Sequence, residues 1–224
     1  MSTLSQLRDR VEVLLMDTGN AIWDTDTIDE GLRHALDDYT LIKPLSMETV
    51  IALPGDGREI ALNGISGLMK VTDVWWPFDS AASAETWPPN KVRGWRLYWD
   101  DALPVLILDI KDQSQPQEDD EMRIWYIQRQ TIQDLDSASA TTVDPDHESI
   151  IVLGAAAYSA LSRTVDLVEV AGTDMFAIVL LGAWARSRER EYRDCLKTLR
   201  AEGVRSSHAW GHGWALDKWD ETHS

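Results

Sequence analysis

DPDHESIIVLGAAAYSALSRTVDLV, residues 144–168, is the stretch that decides the fold. Asp144 before Pro145 fits a helix N-cap with proline in the first turn, where the missing proline N–H has no partner to lose. Behind it, Gly154-Ala155-Ala156-Ala157 strips side-chain bulk from an apolar run, so a neighbouring helix can approach closely. The run itself, Ile150 to Leu161, is broken by Gly154, Tyr158 and Ser159. It falls short of the roughly 18 to 20 residues that span a bilayer, and no transmembrane helix is expected. Ala171-Gly172-Thr173-Asp174 closes this helix and caps another, predicted from Met175 towards Glu202 ahead of Gly203. The first half of that last helix, Phe176 to Trp184, is apolar and reads as core. Its second half, Arg186 to Arg200, is charged and reads as projecting.

Helical periodicity is equally plain at the other end. Leu4, Leu7, Val11, Leu14 and Leu15 recur at helical spacing between Thr3 and Asp17, with Gly19 placed for a left-handed cap. A second stripe, Ile28, Leu32, Ala35, Leu36 and Tyr39, predicts a helix over about 27–39, with Thr27 and Glu30 as a capping box. The brief connection makes an antiparallel hairpin. After Pro44 the period becomes extended. Short runs at Thr49–Leu53, Glu59–Leu62, Leu68–Trp76, Trp95–Trp99, Val105–Ile110 and Met122–Ile127 are rich in β-branched and aromatic residues and read as strands. The fold class is therefore α+β: a four-helix platform, two helices at each end of the chain, with an inserted small antiparallel β module and an extended C-terminal tail. The expected divisions are 1–44, a helical hairpin; 45–135, the β-rich insertion; 144–203, a helix pair packing on 1–44; and 204–224, a tail or arm.

A length of 224 residues with 44% hydrophobic and 26% charged side chains suits a soluble globular chain. The opening residues lack an apolar run followed by a small-residue cleavage site, so the chain is expected to be made in the cytoplasm. Net charge is -17, which argues against general nucleic-acid binding, since phosphate affinity draws on clustered Lys and Arg. One segment runs against this charge: Arg186 to Arg205 has seven basic and four acidic residues, a local +3 against -20 elsewhere. It is either a solvated helix face with intrahelical pairs or a basic contact onto an acidic neighbour, carried by Arg186, Arg190, Arg193, Lys197 and Arg200.

Signatures of chemistry are missing. There is no Gly-rich phosphate loop, no nucleophile elbow and no HExxH pattern. The single cysteine, Cys195, excludes an internal disulfide and reads as packing. His208 and His212, with His223 or Asp217, have a conceivable metal spacing, but Gly211 and Gly213 weaken the helix it needs, and surface or interface histidines are the plainer reading. The acidic pairs Asp37-Asp38, Asp100-Asp101 and Asp119-Asp120 read as solvated surface acids. No catalytic residue, cofactor or metal is expected. Trp75, Trp76, Trp87, Trp95, Trp99 and Trp125 load the β module with aromatics that serve as core, as an interface, or as a stacking platform for sugar rings. The tail carries Trp210, Trp214, Leu216 and Trp219, which either fold back on their own domain or dock into a neighbouring molecule.

Three segments together, Leu4-x-x-Leu7-Arg8-x-x-Val11, Trp23-Asp24-x-Asp26-x-Ile28-Asp29-Glu30-x-Leu32-x-x-Ala35-Leu36, and Pro145-Asp146-His147-Glu148 leading into Gly154-Ala155-Ala156-Ala157, resemble the head-to-tail adaptor (connector) proteins of tailed bacteriophages. The resemblance covers mainly residues 1–42 and 144–202. It implies a non-enzymatic virion neck subunit in a homo-oligomeric ring, commonly of twelve, beneath the portal protein and above a tail-side neck or stopper protein. The helices would form the ring wall, the β module would face outwards or towards the tail, and the tail segment would reach the portal. DNA would pass without specific binding, and acidic walls suit such a channel because they do not hold it. No membrane is involved. The other readings are a tail-completion or decoration protein, a carbohydrate-binding module using Trp87 and Trp99, and an uncharacterised enzyme.

Overall fold

The computed structural model describes residues 2–17, 22–81, 91–101, 103–110, 115–169 and 174–211, of which residue 169 and residues 203–211 are described for their backbone alone. Along them run α1 (Leu4–Leu15), α2 (Thr25–Ile42), β1 (Leu45–Ala52), β2 (Glu59–Ala61), β3 (Leu68–Phe78), β4 (Trp95–Asp100), β5 (Leu103–Leu108), β6 (Glu121–Gln128), α3 (Glu148–Glu169) and α4 (Met175–Gly211). The class is α+β as expected. The chain divides into a helical unit, residues 1–43 and 130–224, and a β unit, residues 44–129.

In the helical unit α3 is the central element, with α1, α2 and α4 packed against it. Its alanines are why. Ala155, Ala156, Ala157 and Ala160 are fully buried, and the backbone of α2 comes so close that a Cβ on Gly31 would stand 2.7 Å from the Ala155 carbonyl oxygen and 2.5 Å from Ser159 Oγ. One turn away, a Cβ on Gly154 would meet the Tyr192 ring at 2.7 Å and Ala35 Cβ at 3.0 Å. Tyr192, fully buried, reaches across from α4 and donates to the Ala35 carbonyl at 2.9 Å. Leu4, Leu7, Val11, Trp23, Ile28, Leu32, Tyr39, Ile151 and Leu196 complete this core. By length and composition the stretch Pro145–Val168 suffices to cross a membrane; here α1, α2 and α4 pack on it, while Val165 and Val168 stay exposed.

Two buried carboxylates of this unit are paired with arginines, as burial favours. Arg8 grips Asp29 through Nε at 2.6 Å and Nη2 at 2.5 Å, joining α1 to α2. Glu148, at the start of α3, accepts from Ser2 N at 2.7 Å, Ser2 Oγ at 2.6 Å and Arg10 Nη1 at 3.0 Å. Burial by itself would raise that carboxyl, but the Ser2 hydrogen bonds and Arg10 outweigh it and hold the pKa below the ordinary range. Burial likewise pushes the Tyr39 hydroxyl up to about 12.

The β unit is two three-stranded antiparallel sheets, ordered β1-β6-β3 and β2-β5-β4. Strict alternation in β6 sends Met122, Ile124 and Tyr126 inward. They meet Val71, Val74 and Trp76 of β3, with Ile60, Leu106 and Leu108 from the second sheet, in one core.

Five expectations are corrected. The β insertion ends at residue 129, not 135, because Ile132 and Leu135 sink into the helical core and Gln130 is tied to the end of α2, its Nε2 donating to the Lys43 carbonyl at 2.8 Å. The left-handed cap of α1 is Met16 at φ 56, three residues before Gly19. The N-cap of α2 is Asp24, which accepts from Thr27 N at 2.6 Å, and α2 begins two residues before Thr27. The last helix does not stop before Gly203 but continues to Gly211, so residues 204–211 of the expected tail are helical. Finally, the apolar first half of α4 is core on one side only: Ile178 and Ala185 are buried and Leu181 and Trp184 pack against the core, while Met175, Phe176, Val179 and Leu180 are between 54% and 68% exposed.

Two outcomes follow for stability. Gly31→Ala, whose methyl meets backbone that cannot rotate away, is expected to destabilise by about 1–3 kcal/mol as overpacking does, read as a lower thermal midpoint. The Glu148 carboxylate, with its folded pKa lowered, stabilises the fold above the ordinary glutamate value of about 4.3, and that contribution is lost as pH falls from there through the lowered folded pKa. Glu148→Gln should therefore lower the midpoint at neutral pH and flatten the acid limb of a stability–pH profile; an unchanged acid limb would sink this account.

Candidate interaction surfaces

The five basic residues singled out on α4 do share a face. Positions 186, 190, 193, 197 and 200 advance in steps of three and four, which keeps them on one side of a helix, and all five are exposed. The structure also explains what the steps alone leave open. Tyr192 and Leu196, on another side of α4, fix it to the core, so the basic row must look outward. Part of the row is neutralised locally: Arg193 pairs with Glu189 at 2.6 Å and Lys197 with Asp194 at 2.7 Å. The carboxylate of Glu189 raises the Arg193 guanidinium pKa further. Arg186, Arg190 and Arg200 make no ion pair among the described residues.

Sequence reasoning missed the continuation of this row. Met175 and Val179 each lie eleven residues before Arg186 and Arg190 respectively, along the same side, and Phe176 and Leu180 flank them. One helix face thus begins apolar and turns basic. At the end of α3, Val165 and Val168 are also more than 60% exposed. An apolar stretch in sequence is compatible with burial or with an unpartnered face; only the position of the neighbouring helices distinguishes the two.

Two grooves flank α3 in the helical unit. One, of about 620 Å³, lies between α1, the start of α3 and the middle of α4, lined by Val13, Leu14, Ile150, Leu153 and Cys195 with the Arg188–Glu191 pair at its rim. Cys195 lines it, with no histidine among the lining residues. The other, of about 480 Å³, lies between α2 and the second half of α3; Asp24, Asp26 and Glu30 stand at its edge and Leu161 and Val165 form its wall.

In the β unit the tryptophans divide. Trp76 is core and Trp95 packs against it. Trp75 and Trp125 stack at 4.3 Å on the other side of the β1-β6-β3 sheet, and Arg123 lies over both, 4.9 Å from the Trp125 centroid, held by Glu48 at 2.7 Å. That guanidinium occupies a ring face on which a sugar would otherwise stack. Trp99 is 51% exposed at the end of β4. Trp87, Trp214, Leu216, Trp219 and His212 lie outside the described residues, and Trp210 and His208 are placed in α4 by their backbone. Among the described residues no three His, Cys, Asp or Glu side chains gather in a metal-binding group. The adjacent acids also serve the fold: Asp38 accepts from Tyr158 Oη at 2.6 Å and Asp120 from Gln117 N at 3.0 Å.

No family model and no curated protein matches the chain. Among solved structures it is similar to a chain in the neck of the empty gene transfer agent (GTA) particle computed with C6 symmetry, at 18% identity and a TM-score of 0.32, covering 81% of this chain and 87% of that one. It is also similar to a chain in the virion of the native gene transfer agent particle, at 17% identity and TM-score 0.31 with coverages of 80% and 86%. A chain in the neck of the native particle computed with C12 symmetry gives 19% identity and TM-score 0.28, with 81% and 86% covered.

Because Phe176 and Leu180 touch water rather than core, replacing both with Ser should leave folding stability within about 0.5 kcal/mol. The same variant should bind less of an apolar dye. A large loss of thermal stability would mean that these side chains are buried after all.

Proposed function

We propose that this chain is a structural head-to-tail adaptor of a phage-like virion: a subunit of a ring beneath the portal protein that lengthens the DNA channel and offers a seat to a tail-side neck protein. The observation that carries this reading is the exposed apolar-to-basic face of α4 on a chain of net charge -17. Large apolar side chains exposed together on one helix face, with a polar continuation, are what a contact site presents. Covering Phe176, Val179 and Leu180 with a partner is worth roughly 1.5–3 kcal/mol for each side chain fully buried. The adaptor-like segments of the sequence agree with it, since the helices they form are those that build the α3-centred unit. Residues Trp210, Trp214, Leu216 and Trp219 are assigned to portal attachment, and the acidic remainder of the chain to a channel wall that repels passing DNA. The reading gives the chain no reaction to catalyse and no cofactor, and places it in the virion neck after synthesis in the host cytoplasm.

Light scattering on the purified full chain, alone and mixed with portal rings, tests this. The expected result is a multimer of many copies in at least one of the two settings. A chain that remains single and makes no portal contact over a wide range of concentration and salt would overturn the proposal. Removing residues 206–224, which carry Trp210, Trp214, Leu216 and Trp219, is expected to abolish neck attachment; intact attachment would instead favour a tail-completion or decoration protein that binds through its β unit.

A further inference from the structure

The α4 face has a counterpart on the same molecule. Its character is apolar at Met175 and Val179 and basic at Arg186 and Arg190, whereas the groove between α2 and α3 presents an apolar wall, Leu161 and Val165, beside the carboxylates of Asp26 and Glu30. Arg193 and Lys197 are engaged within their own copy by Glu189 and Asp194, which leaves Arg186, Arg190 and Arg200 without an ion pair among the described residues, and the first two lie next to the apolar start. On the groove side Val165 is 64% exposed, so its wall is unfilled. Resting on the reading of the chain as an assembly subunit, we infer that the apolar-to-basic face of α4 docks into the α2–α3 groove of a second copy.

Charge and polarity match along both surfaces. The apolar start of α4 meets Leu161 and Val165, and the guanidinium groups meet Asp26 and Glu30, the latter already held at 2.6 Å by Arg33 of its own copy and so shared with the incoming cation. Like-charged alternatives are unfavourable: the chain outside residues 186–205 carries -20, so most of its surface repels another copy and the α4 row is where attraction concentrates. Because the two surfaces differ, each copy offers one of each, and contact can pass from copy to copy until it closes.

The test uses the full chain in whichever setting, alone or on portal rings, the wild type assembles. Arg186→Glu with Arg190→Glu, and separately Asp26→Lys with Glu30→Lys, should each raise the concentration for half-assembly at least tenfold, while circular dichroism reports an intact helical fold. Mixing the two variants, or combining all four substitutions in one chain, should restore assembly, because the reversed charges again face their opposites. Asp26→Asn with Glu30→Gln serves if the lysine variant fails to fold, and should weaken assembly less and make it less sensitive to salt. Variants that keep the wild-type mass overturn the assignment, as do folded variants that fail to regain assembly when combined. Reversed α4 variants that assemble normally yet lose a separate acidic protein would put that protein on the face instead of a second copy. A wild type that never assembles sinks the adaptor reading itself, a result distinct from all of these.

Discussion

The α2 and α3 helices approach within side-chain-free distance at two points, Gly31 against Ala155 and Ser159, and Gly154 against Ala35, where the Tyr192 ring of α4 also packs. No larger residue fits at either without moving backbone or a buried aromatic. Since packing density in a protein interior tolerates little added volume, these contacts set how α2 and α4 lie on α3. Tyr192 reinforces this by donating to the Ala35 carbonyl, so a residue of α4 is hydrogen-bonded to the backbone of α2 across α3. The ion pair of Arg8 with Asp29 and the Glu148 cluster then join α1 to the same frame.

That frame determines which side of α4 is left to solvent. The side occupied by Ile178, Ala185, Tyr192 and Leu196 is committed to the core. Everything opposite is surface, whatever its composition. The result is a single helix face whose first part would be stabilised by leaving water and whose second part is a row of guanidinium and ammonium groups. A lone soluble molecule gains nothing from that combination, whereas an assembling one does.

Most elements were legible in the sequence. The α1 and α2 stripes and the six strands follow from periods of 3.6 and 2, which depend only on neighbours along the chain, and the basic row of α4 follows from its spacing. Cap positions were less legible: Thr27 with Glu30 looked like a capping box, but Asp24 stands three residues earlier with a carboxylate aimed at Thr27 N. Both are sound local chemistry, and the helix took the one that lengthens it. The run 130–135 follows directly on the last strand and reads with the β insertion, yet Ile132 and Leu135 are buried in the helical core.

Sequence by itself determined the helices, the strands, the acidic balance and the small residues that make close packing possible, because those depend on side-chain volume, charge and local period. Tertiary structure alone decided that Met175, Phe176, Val179 and Leu180 are exposed while Tyr192, in a charged stretch, is buried. The reason is geometric: burial belongs to whichever residues face a neighbouring helix, and the direction of that neighbour is set by contacts 120 to 160 residues apart in the chain, such as Tyr158 with Asp38 and Tyr192 with Ala35.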